Sequence, residues 1–276
     1  MAHKSDIRIF YCDTERLDSA ALAAAASHLS IKEQDRRDRL HFEADRRDFT
    51  IAHSLLRQSL SAHAGVTPSD WRFDVDRYGK PSIANCDPRA KALSFSLSHT
   101  RGCVACAITE EVPLGIDLER IDESLRVQEI ADRYFSEEEA AWLSQCSDEQ
   151  RNTAFTELWT LKEALLKAIG IGLSASLKKV SFRFGHYARI EFSAPFTFRP
   201  NEWHFALFEP SRDVRLAVCV QSATTPYFTM SSCERNGYAV VPIRTSAPLL
   251  RKQTFEGDRS PLPICGPYLP IYSAKL

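Results

Sequence analysis

Two stretches of this chain, HSLLRQSL at 53–60 and EALLKAIG at 163–170, share a run of two leucines and a basic residue, each on a long helical pattern that follows a strand and shorter helices. Amphipathic helices resemble one another, but an echo in this context bears on the whole fold. It predicts two similar α+β halves joined near residues 110–113. The order of elements agrees with that expectation. IRIFYC (7–12) reads as a strand, followed by a helix through the alanine-rich run 20–26 and a strongly basic helix from about Lys32. A long helix, DRRDFTIAHSLLRQSLSAH, is ended by Gly65. WRFDV, LSFSLS at 93–98, CVACAIT and LGIDLE read as short strands. The second half repeats the scheme, with helices around 125–134, 136–146 and 149–169 and strands near 179–184, 188–193, 203–208 and 214–220. Ser136 with Glu139 opens FSEEEAAWL as a capping box.

From about Thr224 the texture changes. Half of the fourteen prolines fall after residue 221, among short apolar pieces such as YAVVPI without sustained periodicity. The expected organisation is an N-terminal half over 1–112, a C-terminal half over 113–222, and a Pro-rich tail over 223–276, either irregular or disordered and not needed for activity, or covering a surface of the body.

A hydrophobic fraction of 44% and a charged fraction of 26% over 276 residues fit a soluble globular protein of one or two domains. A net charge of -1 gives no polyelectrolyte signature for nucleic acid or membrane, so neither is expected as a partner. The charged N-terminus MAHKSDIRIFYCDTE lacks the apolar core of a signal peptide, and a cytoplasmic location is expected. Eight cysteines invite a metal or disulfide reading, but Cys103 and Cys106 sit three apart on a strand and point to opposite faces. Buried thiols in a reducing compartment are expected for most of the eight.

The stretch FTELWTLKEALLKAIGIGL, 155–173, combines good helix formers with a glycine stop. Leu158, Leu161, Leu165 and Ile169 form an apolar stripe, while Trp159, Glu163 and Lys167 stack at i, i+4 and i+8 with Lys162 beside them. On this helix alone, a solvated face with a Glu163 to Lys167 pair explains the pattern. The strand LGIDLE changes the weighing, because Asp117 and Glu119 at i and i+2 project from one face. Two carboxylates about 5 Å apart repel by roughly 3 kcal/mol at an effective dielectric of 20, so Asp117, Glu119 and Glu163 in convergence would ask for a cation. Hard oxygen ligands favour Mg²⁺, which commonly takes its remaining ligands from substrate phosphate. Candidate phosphate-binding residues are the arginines of EQDRRDRLHFEADRR, Lys80 in the YGKP turn, and Ser98-His99 in a loop-like strand end of FSLSHTRG.

In order and spacing, GKP, FSLSH, LGIDLE, FSEEE and LWTLKEALLKAIGIGL resemble the surfactin-synthetase-type 4'-phosphopantetheinyl transferases over about residues 7–220. WxxKEAxxK after GIDxE is the specific part. The resemblance implies a pseudo-symmetric α+β monomer of that fold with coenzyme A, the co-substrate, in the cleft between halves. It implies transfer of the phosphopantetheine arm to a serine of an acyl or peptidyl carrier protein, releasing 3',5'-ADP. By motif, Asp117, Glu119 and Glu163 would hold Mg²⁺, and Lys162 and Lys167 would contact phosphate, with Lys167 steadying the leaving group. Ser98 and His99 would bind the 3'-phosphate end with Lys80 nearby, and Arg47 and Arg36 would add phosphate contacts. Asp48 stands where many members carry another basic residue. Glu163 is the candidate base for the serine hydroxyl, and Trp159 is as readily packing as chemistry.

Two other readings compete. A Mg²⁺-dependent phosphohydrolase or nuclease would use the carboxylates but leave Lys162, Lys167 and His99 without a role. A degenerate member would bind coenzyme A or a carrier protein without turnover.

Overall fold

The computed structural model describes residues 6–77, 79–170, 177–185, 189–193, 202–233, 240–242 and 251–252. The chain forms two compact units. The first takes in 6–114 and returns at 226–242, and the second holds 115–225 with 251–252.

The first unit begins with β1 (Asp6–Asp13), then α1 (Ser19–Ala26), α2 (Ile31–Asp38) and α3 (Glu43–Ala64). A small hairpin, β2 (Phe73–Val75) and β3 (Pro81–Ile83), and a short helix α4 (Pro88–Lys91) lead into β4 (Leu93–Thr100) and β5 (Cys103–Glu110). The second unit runs β6 (Leu114–Arg120), α5 (Val127–Tyr134), α6 (Glu137–Ser144) and α7 (Asp148–Ile169). The hairpin β7 (Ser181–Gly185) and β8 (Arg189–Ser193) follows, then β9 (Trp203–Ser211) and β10 (Val214–Gln221). The repeat is thus topological: a strand, three helices, a hairpin and two closing strands. Sheet order agrees, β1-β5-β4 in the first unit being matched by β6-β10-β9 in the second.

Both long helices have 22 residues and both end on a left-handed glycine, Gly65 at φ 71° and Gly170 at φ 79°, whose N–H caps Ser61 O or Leu166 O at 2.9 Å. Glycine reaches that conformation without the Cβ clash other residues meet. In the first unit, α3 presses Ile51, Ala52, Leu55, Leu56 and Leu60 onto Phe10 and Cys12 of β1, Phe95 and Leu97 of β4, and Val104, Cys106 and Ile108 of β5. In the second, α7 is buried nearly all round from Ala154 to Ala168, packing on β9, β10 and the β7–β8 hairpin. Trp159 belongs to that core, with Phe155 and Phe135 each 6.2 Å away, centroid to centroid.

Part of the tail forms strand. Residues Tyr227–Cys233 form β11, which pairs in parallel with β1 from Asp6↔Tyr227 to Tyr11↔Ser232 and carries β12 (Val240–Pro242) on its other edge. β13 (Arg251–Lys252) pairs with β9. YFTMSSC is rich in strand formers, but a single strand between proline-rich pieces shows no periodicity long enough to read, and its partner is more than 200 residues earlier in the chain. The expectation of irregularity for 234–239, 243–250 and 253–276 lies outside the described residues.

Cys103 and Cys106 do diverge. Cys103 Sγ lies 3.1 Å from Tyr11 Oη, while Cys106 packs beside Ser59 within the α3-facing core. Both are reduced, as are buried Cys12 and Cys219 and exposed Cys86, whereas Cys146 is disulfide-bonded, contrary to the reading against disulfides. No helix among the described residues is long and apolar enough to cross a membrane.

Candidate active site

Strand β6 carries the acidic pair, and its contact with α7 depends on one glycine. A Cβ added at Gly115 would lie 1.9 Å from Ala164 O and 2.5 Å from Ala168 N. Backbone therefore meets backbone, which only glycine on the strand and small residues on the helix allow. Alternation puts Asp117 and Glu119 on the same face as Gly115, turned toward α7. The equivalent face of β1 carries Phe10 and Cys12 against α3. One half thus uses this layer for apolar packing, and the other fills it with carboxylates.

Asp117 is 1% exposed, Glu119 6% and Glu163 7%. Lys167 Nζ donates to Asp117 Oδ1 at 2.8 Å. Glu163, one helical turn before Lys167, keeps its buried Oε1 without a hydrogen-bond partner among the described residues. Its pKa is pushed up to about 7, first by burial and then by the negative charge of Asp117, with Lys167 pulling the other way. Two buried carboxylates beside a single ammonium, with Glu163 Oε1 unsatisfied, suit a hard divalent cation, which would relieve the repulsion. Among the described residues no three His, Cys, Asp or Glu side chains converge closely enough to hold a metal unaided. The fit therefore rests on Asp117 and Glu163, with Glu119 on the same strand face.

Lys162 is a correction. The resemblance implies a phosphate contact, but the side chain is 0% exposed and its three protons are all engaged, by Leu177 O at 3.0 Å, Val180 O at 2.5 Å and Glu139 Oε2 at 2.7 Å. Its ammonium also lies 5.1 Å from the Phe135 ring centroid. Burial lowers its pKa while Glu139 holds it up. An ammonium has three donors, so none remains for a ligand.

The pair Ser98-His99 lies at the end of strand β4, where the sequence reading put it, paired with Ala105 and Val104 ahead of the β4–β5 turn. Neighbours on a strand project to opposite faces, so half-buried His99 shares the face of Phe95 and Leu97 while buried Ser98 turns to the other. One ligand group cannot meet both side chains from one face. Lys80 is half-buried at the end of the β2–β3 turn, where its N–H donates to Asp76 Oδ1 at 2.9 Å and Gly79 takes φ 87°.

Of the arginines, half-buried Arg36 lays its guanidinium 5.8 Å over the Phe49 ring of α3. Arg47 is half-buried on α3, whereas its neighbour Arg46 is spent on the α2–α3 turn, donating to Leu40 O at 2.7 Å and His41 O at 3.2 Å. Asp48, the departure noted in this stretch, is structural: it accepts from the Thr14 hydroxyl and from Gly102 N at 2.9 Å, tying α3 to the turn after β1 and to the β4–β5 turn. Arg36, Arg47, Lys80, Ser98 and His99 thus belong to the first unit, and Asp117, Glu119, Glu163 and Lys167 to the second.

The residues that sequence reasoning missed are the partners of this machinery: Glu139, Gly115 with Ala164 and Ala168, and the Glu33–Arg57 pair of the first unit. One signal was present. SIKE at 30–33 and SEEE at 136–139 are the same capping-box signature, each ahead of a long helix.

Comparison with known proteins agrees with the geometry. The family model for the 4'-phosphopantetheinyl transferase superfamily matches residues 113–219, and that for the 4'-phosphopantetheinyl transferase N-terminal region matches 18–111. The chain is 36% identical to the 4'-phosphopantetheinyl transferase HetI of Nostoc sp. over 149 residues, covering 54% of this chain and 62% of that protein. It is 30% identical to the 4'-phosphopantetheinyl transferase Sfp of Bacillus subtilis over 210 residues, covering 75% of this chain and 89% of that one. With both family models matched in chain order and the Gly115–Glu119 strand set against Glu163 and Lys167, this chain belongs to the 4'-phosphopantetheinyl transferase superfamily.

Proposed function

We propose that this enzyme transfers the 4'-phosphopantetheine arm of coenzyme A to a serine of an acyl or peptidyl carrier protein in a Mg²⁺-dependent reaction that releases 3',5'-ADP. The observation that carries this reading is the buried cluster of Asp117, Glu163 and Lys167 on two elements in backbone contact. The serine oxygen forms a bond to the β-phosphorus, the bond from that phosphorus to the bridging oxygen breaks, and the electron pair leaves on 3',5'-ADP. The serine proton passes to the Glu163 carboxylate, which stands beside Asp117 and Lys167 in this cluster. Lys167, one turn on, offers positive charge to the departing phosphate oxygens, while Asp117 fixes its ammonium. Bound at Asp117, Glu119 and Glu163, Mg²⁺ would supply further charge neutralisation for the pyrophosphate.

Arg47, Arg36, Lys80 and His99 are our candidates for the phosphates of coenzyme A in the first unit, with Ser98 acting from the other face of β4. We take the enzyme to act in the cytoplasm and the active species to be a monomer. The test is the intact mass of an apo carrier protein after incubation with the enzyme, coenzyme A and Mg²⁺. A gain of one phosphopantetheine that EDTA abolishes is expected. No gain across several apo carriers, with coenzyme A still bound, would instead make the chain a binding module.

A further inference from the structure

The two halves act as controls for each other. α3 starts at Glu43 and α7 at Asp148, and 148 − 43 = 105, so each residue of α3 matches the one 105 later in α7. This register differs from the offset of 110 in the sequence echo. It places Arg57 opposite Lys162, and Gln58 and Ala62 opposite Glu163 and Lys167. Arg57 is 1% exposed; it donates to Pro68 O at 2.8 Å and Trp71 O at 3.1 Å and pairs with Glu33 Oε2 at 2.7 Å. Lys162 has the same three kinds of partner: two carbonyls of the segment after its helix, and the capping-box glutamate of the preceding helix. Each cation also faces an aromatic ring, Phe73 at 5.3 Å and Phe135 at 5.1 Å.

Glu139 completes the clamp. Its Oε1 accepts Phe182 N at 2.9 Å and its Oε2 accepts Ser136 N at 2.9 Å, so α6, α7 and β7 are tied at one point. What both halves share is architecture, and what only the second half has, Glu163 and Lys167, is chemistry. The carboxylates of Asp117 and Glu163 repel across the β6–α7 contact, and a helix held by apolar packing alone could turn to relieve that. We infer that Lys162 is a positioning residue that anchors α7 to α6 and β7 and so holds Glu163, the next residue, against Asp117.

This inference rests on the transfer reaction proposed above. Lys162→Met combined with Glu139→Gln removes both charges together, because either change alone strands a buried charge. With coenzyme A as varied substrate, kcat should fall about ten-fold or more while KM stays within about two-fold, the pattern of lost positioning rather than lost binding. Lys162→Arg, which installs the residue the first half uses, should recover most of kcat. A ten-fold rise in KM with kcat unchanged would make Lys162 a substrate ligand, and unchanged values of both would leave it no role; either overturns the inference. Should the double variant be insoluble, Lys162→Arg, which keeps the buried pair, is read by the same split, and a ten-fold rise in its KM with kcat unchanged overturns the inference. If the wild-type chain itself transfers nothing, the transfer reading fails separately. The inference is then decided by amide hydrogen exchange over 158–167 in the variant, where faster exchange supports it and unchanged exchange refutes it.

Discussion

Gly115→Ala tests the contact on which the site is built. The new Cβ would stand 1.9 Å from Ala164 O, and real Cβ atoms essentially never approach within 3.0 Å, so β6 and α7 must separate by about 1.1 Å (3.0 − 1.9). Both obstructing atoms are backbone, and no rotamer change can relieve them. Overpacking of this kind costs about 1–3 kcal/mol. The same displacement, carried two residues along the strand, stretches the Lys167–Asp117 contact from 2.8 Å to about 3.9 Å, beyond a hydrogen bond. Misplacement by about 1 Å can cost on the order of a hundred-fold in rate. The expected outcome is a urea midpoint lowered by about 1–3 kcal/mol of stability, with kcat for carrier modification down by ten- to a hundred-fold. Gly65→Ala is the control. It strains φ 71° by about 1 kcal/mol in a position where a Cβ meets nothing within 4 Å, and it should leave kcat unchanged. Wild-type stability and kcat in Gly115→Ala would refute the close-contact argument.

Glu163→Gln should abolish carrier modification while raising metal-free stability above pH 7 by on the order of 1–3 kcal/mol, since it removes the buried charge that Asp117 opposes; thermal melts at pH 8 and the mass assay read the two effects. Glu33 supplies an acid limb. Burial alone would raise its pKa, but His53, Ser30 and Arg57 hold it at about 2 against an ordinary 4.5. A depressed carboxylate stabilises fully above pH 4.5 and loses that contribution, here about 3 kcal/mol, as pH falls through 2; about 2 kcal/mol of it is lost between pH 7 and pH 3, a difference that Glu33→Gln should remove from urea titrations at those two pH values. Arg57→Met, which strands that carboxylate, should cost about 3–5 kcal/mol in the same titration. Truncation after Ser222 removes β11 and bares one edge of β1, so soluble protein should be lost; an active, soluble truncation would show that β11 is dispensable.

Much of the local architecture was legible in the sequence because it is periodic. The two long helices, their glycine stops and the strands β1, β4, β5, β6, β9 and β10 all announce themselves by spacing. Asp117 and Glu119 on one strand face, and Glu163 and Lys167 one turn apart, follow from the same geometry, and GIDLE with WTLKEALLK sufficed to identify the family. Periodicity carries no information on partners distant in the chain. Lys162 and Lys167 look alike in sequence, yet one is sealed in the core by Glu139 and two carbonyls while the other reaches Asp117. Ser98 and His99 are adjacent in sequence but face opposite ways once β4 is extended. β11 was unreadable for the same reason, since its place is fixed by pairing with β1 at the far end of the chain. Sequence by itself determined which residue types the chemistry requires. Tertiary structure alone decided which cations face the carboxylates and which hold the fold, because burial and long-range hydrogen bonds, not residue identity, set how many donors a lysine has left.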